Sequence, residues 1–84
     1  MKETMKIIEN FLTTEVLYNI DRNNIAPEEN LLKSGVIDSM AIIKLVAFIE
    51  ERFKIHIDEE DLVPENFENL GSITEYVNHR IESL

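Results

Sequence analysis

The stretch Gly35-Val36-Ile37-Asp38-Ser39-Met40 stands directly before an apolar-periodic segment that runs to Phe53. Asp38 or Ser39 can cap a helix here, because either side chain can accept a hydrogen bond from a free amide of the first turn. We therefore predict a helix from about Ser39 to Phe53. Ser39 is expected to lie exposed at its start, between an acidic and an apolar neighbour, which suits a residue that carries an attached group.

The segment after Ser39 predicts a helix with more than one apolar face. Leu45, Ile49 and Phe53 recur at spacings of four and share one face. Nearly every residue from 40 to 49 is apolar, and Lys44 is the interruption. Either both faces of this helix are buried, or part of its surface is left exposed for a partner.

Upstream of this helix, residues 3–20 predict a first helix because apolar residues recur there at spacings of three and four. These residues are Met5, Ile8, Phe11, Leu12 and Val16. A polar stop at 21–24 and Pro27 end the pattern, so residues 21–37 are expected to form a long loop. The residues expected to pin this loop to the core are Leu31, Leu32, Val36 and Ile37.

Downstream, residues 55–57 alternate as in a strand but are too few to pair alone, so we expect an extended linker. Asp58 is predicted to cap a short acidic helical turn over 59–62, and Phe67 and Leu70 to anchor the next segment. Ser72 and Glu75 match a capping box for the last helix. The apolar stripe predicted for that helix comprises Ile73, Tyr76, Val77, Ile81 and Leu84.

Length and composition favour a single all-α domain over residues 1–84. A chain of 84 residues supports one modest core, and two glycines with two prolines are few for a turn-rich β architecture. The predicted fold is a small four-helix bundle with three longer helices, one short helix and a long loop between helices 1 and 2.

The charge balance excludes some partners and favours others. Seventeen acids against eight bases give a net charge of -9, which repels nucleic acid and anionic membranes and attracts basic partner patches. The absence of cysteine excludes disulfides and thiolate metal sites. No leader pattern and no apolar run near 18 residues is visible, so we expect a cytoplasmic protein without membrane insertion. We also expect a monomer.

The ordered motifs of this chain resemble those of the acyl and peptidyl carrier protein family over nearly the whole length. That family has Asp-Ser-Leu or Asp-Ser-Met at the start of the second helix, usually after a glycine, as in residues 35–40 here. Acids before a phenylalanine then end the second helix (50–53), an Ile-x-Ile precedes further acids (55–60), and a short leader opens the last helix (70–77). The ordered set is far more specific than Asp-Ser-Met alone.

The resemblance implies a carrier rather than an enzyme. A phosphopantetheinyl transferase would move 4'-phosphopantetheine from coenzyme A onto Ser39, and the thiol of the arm would hold an acyl or aminoacyl group as a thioester. Further partners implied are an acyl- or aminoacyl-adenylating ligase or an acyltransferase, and a downstream synthase or transferase. The residues expected to contribute to partner recognition are Asp38, Met40, Ile43, Glu50 and Glu51.

The chain departs from the fatty-acid-synthesis members of the family in its second helix. Ala41 and Lys44 stand where those carriers have acidic residues, so basic partner patches would find less to bind. The apolar start after Ser39 looks more like stand-alone carriers that work with adenylating ligases, such as D-alanyl carriers and free-standing peptidyl carriers. The identity of the cargo stays open.

Other interpretations account for part of the pattern. The local residues alone favour the interpretation of Ser39 as only a helix cap, and the surrounding motifs reverse that preference. An unmodified acidic helical interaction module would explain the charge and the apolar helix, but not the placement of Asp38-Ser39-Met40. An enzyme has little support, because no nucleophile-base pair or phosphate-binding glycine loop is visible. No metal site is expected, since residues 58–61 lack a calcium-loop pattern and His56 and His79 lie far apart in the sequence.

Overall fold

The computed structural model describes residues 2–16, 25–35 and 37–83, and within these ranges the regular elements are helical, without strands. They are α1 (Lys2–Phe11) with a π-helical turn (Leu12–Val16), α2 (Ser39–Phe53), a 3-10 turn (Glu59–Asp61), α3 (Pro64–Phe67) and α4 (Leu70–Glu82). The predicted all-α class, with three longer helices, is confirmed.

The core is built from the predicted apolar faces of the three longer helices. Its central residues are fully buried: Ile8, Leu12, Leu45, Ile49, Ile73 and Val77. α1 and α3 both pack against α4, and the predicted anchors Phe67 and Leu70 are buried as well. The helical periodicity of the sequence therefore identified the buried faces, while Leu84 lies outside the described residues.

The first helix changes its hydrogen-bonding pattern earlier than its apolar periodicity indicates. α1 ends at Phe11, and the chain continues as a π-helix from Leu12 to Val16. Thr14 Oγ1 donates to the Asn10 carbonyl at 2.6 Å, and Thr13 Oγ1 donates to the Glu9 carbonyl at 3.0 Å. These carbonyl groups therefore accept side-chain hydrogen bonds where the α-helix changes into the wider π-helix. The rest of the helix predicted over 3–20, residues 17–20, lies outside the described residues.

The described part of the first loop is fixed by hydrogen bonds to α1 and to Glu68, the residue that follows α3. The Ile25 amide donates to Glu9 Oε2 at 2.8 Å, and the Leu31 amide donates to the Glu68 carbonyl at 2.7 Å. Leu31 and Ile37 are buried and Leu32 is half-buried, as predicted, and Ile25 is a further buried anchor. The predicted anchor Val36 lies outside the described residues.

The last helix begins before the predicted capping box. Asn69 is its N-cap, in extended backbone conformation, and its Oδ1 accepts from the Ser72 amide at 2.7 Å. The helix starts at Leu70, so the prediction of a capping box at Ser72 and Glu75 is wrong. Gly71 sits within the first turn, where its amide donates to the Pro27 carbonyl at 3.0 Å and a Cβ would lie 3.4 Å from that oxygen.

Two short elements occupy the region where one was predicted. The acidic 3-10 turn Glu59–Asp61 has Asp58 at its N-cap position, but the Asp58 side chain makes no capping hydrogen bond. Pro64 opens α3, because proline is well suited to the first position of a helix. Residues 55–57 form neither helix nor strand, and Ile55 and Ile57 are buried.

Candidate functional site

Asp38, not Ser39, caps α2. Asp38 is in extended conformation, and its Oδ1 accepts from the Ala41 amide at 3.0 Å. The Ile42 amide donates to the Asp38 carbonyl at 2.9 Å and closes the first helical turn. Ser39 is therefore the first residue of α2, its side chain is exposed, and no described residue hydrogen-bonds its hydroxyl. The capping explanation for Ser39 does not apply.

A tight turn at Gly35 precedes Asp38 and places it at the N-cap position of α2. Gly35 has φ +77°, a left-handed conformation that glycine adopts without a Cβ penalty, and its amide donates to the Leu32 carbonyl at 3.2 Å. The Ile37 amide then donates to the Leu31 carbonyl at 3.1 Å, and the buried Ile37 side chain fixes the chain just before the helix. The turn and the buried isoleucine together hold Ser39 outward.

An open apolar groove lies beside Ser39, and we refer to it as the serine groove. Its volume is about 630 Å³. Its lining comes from the first loop, from α2 and from the segment around α3: Leu32, Gly35, Ile37, Asp38, Ser39, Ile42, Ile43, Leu62, Val63, Pro64 and Phe67. Apart from Asp38 and Ser39, these side chains offer only apolar contact.

Leu62 and Val63 are site residues that sequence reasoning missed. They follow the 3-10 turn and are 41% and 37% exposed, yet they line the serine groove. The sequence predicts Leu62 in a short helical turn and indicates no site role for either residue. The sequence signal that could have found them is a pair of adjacent apolar residues before Pro64 that belongs to no helical apolar stripe.

The exposed start of α2 resolves the alternative that its apolar pattern left open. Met40 and Ile43 are each 62% exposed, while Ala41 and Leu45 are buried. One apolar face of the helix thus enters the core and another is open to solvent next to Ser39. The recognition roles of Asp38, Met40 and Ile43 remain predictions, and all three residues lie near the serine.

Glu50 and Glu51 lie three turns further along α2, about 17 Å from Ser39 along the helix axis. Glu50 Oε2 accepts from the Ile57 amide at 2.8 Å and lies 3.3 Å from His56 Nδ1. Glu51 is exposed. The structure therefore gives Glu50 a contact within the chain and leaves Glu51 open, and the recognition role of each remains a prediction.

Hydrogen bonds and ion pairs hold the acidic 3-10 turn against α4. Tyr76 Oη donates to Asp61 Oδ2 at 2.8 Å, and Arg80 Nη2 donates to the His56 carbonyl at 2.8 Å. Arg80 Nη1 also lies 3.8 Å from Asp58 Oδ2. Burial, followed by the hydrogen bond to Asp61 and the charge of Asp61, raises the pKa of Tyr76 to about 12. These contacts fix the segment that leads into Leu62 and Val63.

Two further features bear on possible ligands. Within residues 2–16, 25–35 and 37–83, no group of three or more His, Asp or Glu side chains is arranged to hold a metal ion. In the same ranges, no helix combines the length and the apolar character needed to cross a membrane.

Comparisons with known proteins match these features to a family. The family model described as "Phosphopantetheine attachment site" matches residues 13–77. The chain is 33% identical over 76 residues to an acyl carrier protein of Phytoplasma mali (strain AT), covering 90% of this chain and 86% of that protein. It is 29% identical over 69 residues to an acyl carrier protein of Desulforapulum autotrophicum, covering 82% and 87% respectively.

A chain in a solved structure has a fold similar to that of the present chain. A chain in a structure titled "Crystal structure of FAD-dependent dehydrogenase" superposes with a TM-score of 0.74 at 26% identity, covering 83% of this chain and 97% of that chain. The dehydrogenase in this description refers to that structure and not to the present chain.

The family match covers most of the chain, including the turn at Gly35, the start of α2 and the beginning of α4. Acyl carrier proteins carry their cargo on a covalent 4'-phosphopantetheine and leave the catalysis to transferases and synthases. The chain belongs to this phosphopantetheine-attachment family, as a carrier and not an enzyme.

Proposed function

We propose that Ser39 is the residue that bears 4'-phosphopantetheine and that the chain presents an acyl or aminoacyl cargo to partner enzymes. The observation that carries this proposal is the exposed Ser39 hydroxyl at the start of α2, left without a hydrogen-bond partner among the described residues because Asp38 provides the cap. An unmodified interaction module would not require a serine in that position.

The surroundings of Ser39 fit a phosphodiester. The N-terminus of the 15-residue helix α2 carries partial positive charge and free amides, which favour an anion there. In the transfer, Ser39 Oγ would form the new bond to phosphorus, its proton would leave to a base, and adenosine 3',5'-bisphosphate would depart from coenzyme A. The attached group supplies the thiol that this cysteine-free chain lacks.

The neighbouring residues would orient the arm and meet partner enzymes. The apolar serine groove, including Leu62 and Val63, can shelter apolar parts of the arm or cargo from water. Met40 and Ile43 offer apolar contact to an enzyme that approaches Ser39, and Asp38 offers a carboxylate. We assign recognition of partner enzymes to these three residues, with Glu51 as a further contact. Glu50 would combine a recognition role with its structural hydrogen bond to the Ile57 amide.

The loading enzyme is proposed to be an adenylating ligase acting on an acyl or aminoacyl substrate, with an acyltransferase as the alternative. Support comes from Ala41 and Lys44 in the first two turns of α2, where Lys44 is exposed and would oppose a basic docking patch. A downstream synthase or transferase would then take the cargo. The proposed setting is a cytoplasmic monomer formed as one domain over residues 1–84.

The test is the intact mass of the protein before and after incubation with coenzyme A, magnesium and a broad-specificity phosphopantetheinyl transferase. We expect a gain of one phosphopantetheine unit in the unaltered chain and none in Ser39→Ala. Ser72→Ala is the matched control, because Ser72 also lies in the first turn of a helix, and it should be modified normally. Circular dichroism checks that Ser39→Ala keeps its helices.

Modification of the Ser39→Ala variant would overturn the assignment. If the folded, unaltered chain gained no mass with several active transferases, attachment at Ser39 would be contradicted as well, and an unmodified interaction role would be favoured.

A further inference from the structure

A second groove lies between α1 and α2, and we refer to it as the aromatic groove. Its volume is about 700 Å³, and its lining residues are Phe11, Glu15, Lys44, Ala47, Phe48, Glu51, Arg52 and Lys54. None of them lines the serine groove. The rings of Phe11 and Phe48 stack with centroids 4.2 Å apart and an interplanar angle of 13°, which gives the groove an aromatic floor.

The aromatic groove continues along the first helix. A depression of about 480 Å³ shares Phe11, Glu15 and Phe48 with it and extends to Ile7, Asn10 and Thr14. The combined surface is long and open, so it suits a segment of polypeptide better than a compact small molecule, which is usually enclosed.

The rim of the aromatic groove differs in charge from the rest of the chain. Three of the eight basic residues line it, against two acids, in a protein of net charge -9. Within the described residues, no carboxylate forms an ion pair with Lys44, Arg52 or Lys54. Arg52 and Lys54 lie near the C-terminus of α2, where cations are favourable, but Lys44 lies mid-helix and this explanation does not extend to it.

We propose that the aromatic groove docks a segment of a partner protein in which an aromatic or large aliphatic side chain stands next to a carboxylate. The apolar side chain would pack on Phe11 and Phe48, and the carboxylate would pair with Lys44 or Arg52. At physiological ionic strength charges are screened beyond about 8 Å, so the local basic rim governs this contact more than the overall charge does. Because the two grooves share no lining residue, the proposal is independent of modification at Ser39.

The experiment is a titration of the ¹⁵N-labelled full chain with synthetic peptides, followed by amide chemical shifts. The first peptide carries a phenylalanine flanked by glutamates, the second has lysines in place of the glutamates, and the third has serine in place of the phenylalanine. We expect the first peptide alone to shift resonances of Phe11, Ala47 and Phe48. Repeating the titration with Ser39→Ala should give the same result, which separates this test from that of the attachment site.

Charge reversal on the rim provides the discriminating variants. We expect Lys44→Glu combined with Arg52→Glu to weaken binding of the glutamate peptide about tenfold, because exposed ion pairs with the peptide are lost and like charges take their place. Lys33 is an exposed lysine of the first loop that lies outside the aromatic groove. Lys33→Glu makes the same charge change as Lys44→Glu and is its matched control, so it should have little effect on peptide binding. Ala47→Glu should block the groove without touching the core.

Several outcomes would overturn the proposal. They are stronger binding of the lysine peptide, equal effects of Lys44→Glu and Lys33→Glu, and no binding of the glutamate peptide at its highest soluble concentration. Shifts of Phe11, Ala47 and Phe48 that depend on protein concentration without peptide would assign the groove to contact between two copies of this chain.

Discussion

At the N-terminal end of α2, the large apolar side chains of Met40 and Ile43 are open to solvent. At its C-terminal end, the charged side chain of Glu50 is engaged with the Ile57 amide and with His56. Apolar residues usually lie inside and charged residues outside, so the exposed Met40 and Ile43 and the half-buried Glu50 are departures from this pattern. The difference indicates that the N-terminal end leaves apolar side chains open to solvent beside Ser39, while Glu50 near the C-terminal end stabilises the segment that follows the helix.

The largest effect should come from comparing two isoleucines in α2. Ile49→Ala is expected to lower the free energy of unfolding by about 2–5 kcal/mol, because it leaves a cavity in the core. Ile43→Ala should change it by less than about 0.5 kcal/mol, since Ile43 is mostly exposed. Urea denaturation followed by circular dichroism measures both. Equal losses would contradict the division of α2 into a buried and an open face.

Adjacent glutamates test the C-terminal end. Glu50→Ala should lower the free energy of unfolding by about 1–2 kcal/mol, because the amide of the buried Ile57 loses its acceptor. Glu51→Ala is the matched control and should have little effect on unfolding, because Glu51 is exposed. Glu50→Gln should recover most of the loss, since its amide oxygen can still accept. A Glu51→Ala variant as destabilised as Glu50→Ala would show that the hydrogen bond is not the cause.

Asp38 tests whether capping and recognition can be separated at the N-terminal end. Asp38→Ala should lower the free energy of unfolding by about 1 kcal/mol, and Asp38→Asn should retain most of the capping. If the carboxylate charge also serves recognition, Asp38→Asn should slow phosphopantetheinylation while leaving the unfolding midpoint near that of the unaltered chain. An unchanged modification rate in the folded Asp38→Asn variant would assign Asp38 to capping alone.

The smallest effect concerns the tie between the 3-10 turn and α4. Tyr76→Phe removes the hydrogen bond to Asp61 and should lower the free energy of unfolding by about 0.5–1 kcal/mol at neutral pH. Because the pKa of Tyr76 is raised from 10.0 to about 12 in the folded chain, the neutral phenol contributes stability below pH 10 that is lost between pH 10 and 12.

Urea unfolding of the unaltered chain and Tyr76→Phe across this alkaline range isolates that contribution, because the other titrating groups are common to both. The difference in stability should shrink as the pH rises. A constant difference would mean that the phenol does not titrate in this way.

Much of the fold was predictable because its signals are local. The spacing of Leu45 and Ile49, and of Ile73 and Val77, defines helical faces without reference to the rest of the chain. The start of α4 was misjudged, because Ser72 and Glu75 match a capping box while Asn69 makes the actual cap. Several residues near the start of a helix can satisfy the same local rule, and the backbone conformation selects one of them.

The residues of the candidate site likewise fall into those that the sequence identified and those that it did not. Ser39, Met40 and Ile43 were identified from the sequence, because the motif and the excess of apolar residues in α2 are contiguous. Leu62 and Val63 were not, since they reach the serine groove only after the chain has passed through the 3-10 turn. The stacking of Phe11 on Phe48 likewise joins residues of two helices whose relative placement no local pattern encodes.

By itself, the sequence determined the all-α class, the buried faces of the three longer helices and the position of Ser39 at the start of α2, because helical periodicity and turn chemistry act between near neighbours. Only the tertiary structure decided that Asp38 is the cap, that Glu50 is engaged while Glu51 is open, and that two separate grooves flank α2. The grooves depend on which distant groups the packed helices bring within contact distance, and the choice of cap depends on the backbone conformation that the folded chain adopts at Asp38.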